Sequence, residues 1–274
     1  MADAQIPGRT LHYVRHGDPA GEPVLLIQGL SGSHASWGAP FLDALGPGLD
    51  LIAYDHRGIG GSSEIDGPFT IADLAGDAAA LLDALDLESA HVVGISMGGM
   101  VAQELALAAP GRVRTLTLGC TYPGGEGAQL TDPATVQRMI ESFASGDPEV
   151  ILRSSFEINV SPAYAATPGA WESFREAALA ARAPVPVLFE QLRATAAHAP
   201  GARLGEITAP VLVIHGDADA VLDVANGELI ARLIPGARLE ILPGVGHLFW
   251  IEQPEHSAAL VRGHVLAELP AGSQ

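Results

Sequence analysis

A serine, a histidine and an aspartate stand where apolar runs of this chain give way to glycine-rich turns, and these three residue types together can do nucleophilic chemistry. Ser96 lies in Gly94-Ile95-Ser96-Met97-Gly98, between the β-branched run His91 to Val93 and a helix-compatible segment, Met100 to Ala109. Strand, sharp turn and helix in that order hold the central residue in a strained conformation. Gly94 and Gly98 leave room where a side chain would meet the neighbouring strand or helix. Ser96 is thereby lifted clear of a sheet at the amino end of a helix, whose dipole favours negative charge. The competing reading is a glycine-rich turn that carries a serine by chance.

A nucleophilic serine needs a base, and with ten histidines available the base is chosen by position. Only loops that follow strands present residues at the carboxyl edge of a parallel sheet, where Ser96 would sit. His247, in Pro243-Gly244-Val245-Gly246-His247, follows the last apolar run, and two glycines let that loop approach closely. His56 also follows a strand and is the main competitor, although Arg57 and the glycines after it suggest a loop-stabilising role. His91 and His215 read as structural. His12, His16, His198, His256 and His264 lack such placement, and His34 is a possible pocket residue.

The base in turn needs a carboxylate to fix its tautomer and stabilise the imidazolium as it forms. Ile214-His215-Gly216-Asp217-Ala218-Asp219 offers two, and Asp219, farther into the loop, is favoured over Asp217, which suits bracing the turn. Negative charge on a substrate oxygen calls for donors already in place. The backbone N–H of Met97, just after the serine, and that of Leu30, in the loop after Val24 to Ile27, meet this need.

Alternating elements must position these residues. Leu11 to Arg15 reads as an edge hairpin strand. Val24 to Ile27, Leu51 to Tyr54, Val113 to Leu118, Val211 to Ile214 and Arg238 to Leu242 read as further strands. Helical patterns cover Trp37 to Leu45, Thr70 to Leu87, Val224 to Leu233 and Pro254 to Glu268. Between Thr121 and Glu206 the alternation stops, and helices are expected at Pro133 to Ala144, Pro148 to Ser155, Ala170 to Ala181 and Val187 to Ala196. The expected class is α/β: a mostly parallel sheet with helices on both faces, in a core of residues 1–120 and 207–274 interrupted by a helical insertion over 121–206.

Composition narrows the partners. At 274 residues, with 48% hydrophobic and 17% charged side chains, the chain is long and apolar enough for a sizeable core. Thirty-two acidic against 14 basic residues give a formal charge of -18, which repels nucleic acid and anionic bilayers. All 14 basic residues are arginine, so lysine Schiff-base chemistry is ruled out. Cys120, the single cysteine, ends an apolar run and reads as a buried structural thiol; it precludes an internal disulfide or a cysteine-based metal cluster. No amino-terminal signal pattern and no membrane-length apolar run is evident, so a cytoplasmic location is expected. The chemistry requires neither metal nor organic cofactor.

The order Ser96, Asp219, His247 resembles the α/β-hydrolase superfamily across nearly the whole chain. Tyr54-Asp55-His56-Arg57-Gly58-Ile59-Gly60-Gly61-Ser62, the Ser96 turn and Gly244-Val245-Gly246-His247 resemble motifs of its esterase and lactonase group, which includes 3-oxoadipate enol-lactonases and aclacinomycin methylesterase. That resemblance implies a sheet of about eight strands with a helical cap. It also implies hydrolysis of a small carboxylic ester or lactone through an acyl-enzyme. Many relatives carry His-Gly after the oxyanion strand, where this chain has Gln28-Gly29; serine rather than aspartate at position 96 argues against dehalogenases and epoxide hydrolases. Alternatives are a cofactor-free perhydrolase or haloperoxidase, a carbon–carbon bond hydrolase with the same triad, and a non-catalytic binding protein on the same fold. Trp37, Leu222 and Leu248 are expected to line an apolar pocket with Met97 and with Phe143, Phe156, Trp171 and Phe189 of the insertion.

Overall fold

The computed structural model describes residues 1–180 and 183–267. Eight strands form one sheet: β1 (Ala2–Ile6), β2 (Arg9–Gly17), β3 (Glu22–Ile27), β4 (Leu49–Tyr54), β5 (Ala90–Ile95), β6 (Val113–Gly119), β7 (Val211–Gly216) and β8 (Arg238–Leu242). Their order is β1-β2-β4-β3-β5-β6-β7-β8. β1 pairs antiparallel with β2, and β2 with β4; every other pairing is parallel.

The continuous apolar runs are explained by burial on both faces. Leu25 and Ile27 of β3 join one core cluster while Val24 and Leu26 join the other, the period-two alternation of a pleated strand. The first cluster includes side chains of α2 (Ile71–Ala84) and α3 (Met97–Ala108), and α9 (Ala225–Leu233) adds Ile230. The second is covered by α1 (Ala39–Leu45), α10 (Phe249–Glu252) and α11 (Pro254–Ala267). α2 begins at a capping box in which Thr70 and Asp73 satisfy each other's backbone N–H, which fixes where the helix starts.

β3 is flanked by β4 on one side and β5 on the other, so the chain direction across the sheet reverses there. The crevice beyond the carboxyl ends of strands at such a switch point is where open α/β sheets take ligands. Both the Leu30 loop, after β3, and Ser96, after β5, open onto it.

Between β6 and β7 lie α4 (Pro133–Ala144), α5 (Pro148–Asn159), α6 (Pro162–Ala165), α7 (Ala170–Ala180) and α8 (Val185–Ala196). Phe156, Val160 and Ala170 form a small core of their own, with Trp171, Phe174 and Leu248 packed against it. No described helix is long and apolar enough to cross a membrane.

Several expectations need correction. Leu11 to Arg15 belongs to a strand, but not an edge strand: the unread β1 outside it is the edge, and β2 is second in the sheet. The helix expected from Trp37 to Leu45 is a 3-10 turn, His34–Trp37, and then α1, separated by Gly38 at φ 73. α5 runs four residues past Ser155, to Asn159. α8 starts at Val185 with Pro186 in its first turn, where a missing N–H costs nothing. The ends expected at Ala181 and Glu268 lie outside the described residues.

Candidate active site

Ser96 sits between β5 and α3 at φ 52, ψ -124, a region that L-residues avoid. The turn survives because its neighbours are small. A Cβ on Gly98 would stand 2.1 Å from the Ile27 carbonyl oxygen, and one on Gly94 would stand 2.3 Å from that of Gly98. The tight crossing is locked by the Ser96 N–H donating to the Gly119 carbonyl at 2.9 Å and by Thr121 Oγ1 donating to the Ser96 carbonyl at 2.7 Å.

His247 follows β8 and is buried. Its Nδ1 is 2.7 Å from Oδ2 of Asp219, whose side chain is fully buried. Burial opposes charge on Asp219, but His247 and His215 outweigh it and hold the carboxyl well below its usual range. Burial likewise opposes charge on His247, and Asp219 outweighs it, raising the imidazole well above its ordinary value. An ionised Asp219 can only accept, so Nδ1 carries the proton, and in neutral His247 Nε2 is the free base.

The acid loop is held from several sides. Asp219 Oδ1 accepts the backbone N–H groups of Val221 and Leu222, at 2.8 and 2.9 Å. His215 Nε2 is 2.8 Å from the Leu222 carbonyl and 3.2 Å from Asp219 Oδ2. Asp217 accepts the Gly244 N–H at 2.6 Å and so braces the turn before His247. The loop bearing His247 is pinned again by Glu252, which accepts the N–H of Gly246 at 2.9 Å and both the N–H and hydroxyl of Ser161, at 2.8 and 2.6 Å.

The Leu30 loop lies against the serine. A Cβ on Gly29 would be 3.0 Å from Ser96 Cβ and 3.5 Å from its Oγ. Neither the Leu30 nor the Met97 N–H donates to another described residue. Gln28, in place of the usual histidine, folds back so that Oε1 accepts the Gly29 N–H at 3.2 Å. His56 Nε2 meets the Gln28 carbonyl at 3.0 Å, and burial pushes its pKa down, so it braces the loop as a neutral ring.

Cys120 is buried and adopts φ 38. It follows β6 directly, close enough to the His247 ring for the two to influence each other's charge. Burial raises its pKa despite His247, so it is a neutral thiol rather than a rival nucleophile. This neighbour and His215 were missed as site residues because both occur in apolar runs; their one signal is position, at the carboxyl ends of the strands flanking the site.

The expected pocket residues separate. Trp37 is fully buried, stacked on Phe41 at 5.6 Å and tilted against Trp250 at 5.8 Å; it is core, not pocket wall. Phe143 and Phe189 are 55% and 66% exposed. Phe156 and Trp171 pack against each other in the insertion's small core. Leu222 remains on the acid loop and Leu248 beside His247, both partly exposed.

His12, His34 and Asp55 bring ligand-type atoms within 4.8 Å of one another. Hydrogen bonds account for the grouping: Asp55 accepts from the His34 N–H at 2.7 Å, from its Nδ1 at 2.9 Å and from the Gly61 N–H at 3.1 Å, while His12 Nδ1 meets Asp3 at 2.8 Å.

Residues 22–254 match the family model described as the alpha/beta hydrolase fold. A protein named as a candidate carbamate hydrolase, RutD of Azorhizobium caulinodans, is 33% identical over 246 residues, covering 89% of this chain and 91% of the relative. Rhodomycin D methylesterase DnrP of Streptomyces peucetius is 32% identical over 278 residues, covering 92% and 93%. Among solved structures, the enol-lactonase of Burkholderia xenovorans LB400 superposes with a TM-score of 0.84 at 25% identity, covering 97% of this chain and all of that one. With the eight-stranded sheet and the strained serine turn, these similarities establish that the chain belongs to the α/β-hydrolase family, among hydrolases of the esterase and lactonase type.

Proposed function

We propose that the chain is a serine hydrolase that cleaves a small carboxylic ester or lactone through an acyl-enzyme, with Ser96, His247 and Asp219 as its triad. The observation that carries this reading is the 2.7 Å hydrogen bond that His247 Nδ1 donates to Asp219, on loops at the same carboxyl edge of the parallel strands as the strained Ser96 turn. His247 Nε2 takes the Ser96 proton as Oγ attacks the carbonyl carbon, and the oxyanion accepts from the Leu30 and Met97 N–H groups. His247 then protonates the leaving oxygen. Water, deprotonated by the same nitrogen, attacks the acyl carbon and releases the acid and Ser96.

In this reading the helices from α4 to α8 act as a cap, and Leu222 and Leu248 present apolar surface beside the triad. The similarity to a methylesterase and to an enol-lactonase supports ester and lactone substrates.

Ser96→Ala tests the mechanism. Turnover of an aryl ester is expected to fall about a million-fold if the triad acts as a unit. Stoichiometric labelling by a fluorophosphonate should disappear with it, while the thermal midpoint stays near that of the parent. Retained turnover in a folded Ser96→Ala protein overturns the reading.

A further inference from the structure

The buried stripe of α8 contains a residue that packing alone does not call for. Val187, Gln191 and Ala194 are buried at i, i+4 and i+7, while Val185, Phe189 and Leu192 on the opposite side are exposed. A fully buried glutamine in an otherwise apolar stripe demands a polar reason. Its Oε1 accepts the N–H of Ser31 at 2.8 Å, whereas its Nε2, also buried, meets no partner among the described residues.

Ser31 directly follows Leu30 and has φ 61. L-residues avoid this region, and the bend is closed within the loop by the Gly32 N–H donating to the Gly29 carbonyl at 3.2 Å. Gln28 supports the Gly29 N–H and His56 the Gln28 carbonyl, both on the near side of Leu30. On the far side the Gly32 and Ser33 N–H groups are held within the loop and its following turn, whereas the Ser31 N–H, next to Leu30, is held by Gln191, 160 residues away in sequence.

α8 is itself firmly placed. Val187 fits against Gly58, where a Cβ would stand 2.6 Å from its Cγ2, and Arg193 donates to the Phe69 carbonyl at 2.5 Å. Just past the helix, His198 Nε2 meets Gln103 Oε1 at 3.1 Å. These anchors are on the loop after β4, the segment before α2, and α3, so the Gln191 amide is presented by an element fixed to the core at three places.

We propose that Gln191 is a positioning residue through which the inserted helices set the oxyanion loop: its Oε1 fixes the Ser31 N–H and thereby the direction of the Leu30 N–H beside Ser96. The proposal rests on the triad reading above. An unsatisfied buried donor such as Nε2 is destabilising, and leucine, of similar size, would avoid that cost. Gln191 is thus a poor choice for stability and a good one for holding a backbone donor in place.

The test compares Gln191→Leu, Gln191→Glu and Ser96→Ala on p-nitrophenyl butyrate, with reversible inhibition by an alkyl trifluoromethyl ketone, which adds to the serine and puts an oxyanion in the same hole. Gln191→Leu is expected to lower kcat about 10- to 100-fold, the scale of a misplaced donor, and to weaken the ketone by a similar factor. Its KM should stay within about threefold, because ground-state binding is untouched. Its thermal midpoint should be unchanged or higher. Gln191→Glu retains an acceptor for Ser31 and should recover most of the lost kcat. If Gln191→Leu keeps both kcat and ketone affinity, or loses kcat only together with thermal stability and without recovery in Gln191→Glu, the proposal is overturned. Either result leaves the triad reading intact as long as Ser96→Ala is inactive, whereas an active Ser96→Ala overturns the triad reading itself.

Discussion

The sheet and the inserted helices are held by different physics. β3, β4, β5 and β7 are buried along almost their whole length between two large apolar clusters. The insertion keeps three buried residues in its own small cluster and relies on exposed ion pairs such as Arg175–Glu149 and Arg153–Glu157. Pairs of that kind contribute about 0–1 kcal/mol each. Large exposed apolar side chains concentrate there too, among them Ile140, Phe143 and Phe189. The lesson is a division of labour. Strand ends embedded in a rigid core hold Ser96, Asp219 and His247, while the insertion reaches their loops through a few polar contacts, Gln191 to Ser31 and Ser161 to Glu252 among them.

The largest effect should come from the strand ends. Asp219→Asn keeps the shape of the loop but offers His247 the wrong tautomer, and kcat is expected to fall about 10⁴-fold. The same change sharpens the pH profile. In the proposed mechanism His247 must be neutral to act, and its pKa is raised by Asp219, so in the parent kcat/KM should rise with pH through a midpoint above the ordinary histidine value of 6.5. In Asp219→Asn that midpoint should move down. A midpoint that stays put would mean that something other than Asp219 sets the ring's charge.

The pair also links pH to stability. His247, with its folded pKa raised, contributes fully below about 6.5 and loses that contribution as pH rises through the folded value. Asp219, with its folded pKa lowered, contributes above about 3.9 and loses it as pH falls toward the folded value. The difference in stability between parent and Asp219→Asn should therefore be greatest between those limits, measured by urea unfolding.

Next in size is a core truncation. Leu116 of β6 is fully buried in the larger cluster, and Leu116→Ala should cost about 2–5 kcal/mol through lost burial and the cavity left behind. Urea midpoints at unchanged m-value would measure it. A cost under about 1 kcal/mol would mean that the sheet is less tightly packed than its burial implies.

The same division explains what could be read from the sequence. Strand runs and the Ser96, Asp219 and His247 turns were legible because each couples a local pattern to a local position: an apolar run, then glycine, then a polar residue. Asp217 as a turn brace was legible for the same reason. Trp37 was not, because its place between Phe41 and Trp250 depends on a helix more than 200 residues later. The β1 edge escaped because Ala2–Ile6 is short and buries only Ala4 and Ile6. Nor could Gln191 be found by pattern. Its role depends on the fold bringing α8 over the β3 loop, and helical periodicity places it in a stripe that reads as apolar.

The smallest effect is expected on the exposed stripe of α4, and it probes the comparison most directly. Val136, Ile140 and Phe143 form an exposed stripe on α4, and Ile140 is 56% exposed. Ile140→Gln removes apolar surface that water already reaches and replaces a β-branched residue with a slightly better helix former. Stability should therefore change by no more than about 0.5 kcal/mol, a tenth to a quarter of the Leu116→Ala cost. Turnover of p-nitrophenyl butyrate should not change, because Ile140 is exposed to water and, among the described residues, no backbone hydrogen bond joins α4 to Ser96, His247 or Leu30. If Ile140→Gln instead lowers kcat/KM while urea unfolding stays unchanged, the stripe takes part in substrate access, and α4 belongs to the site as much as α8 does.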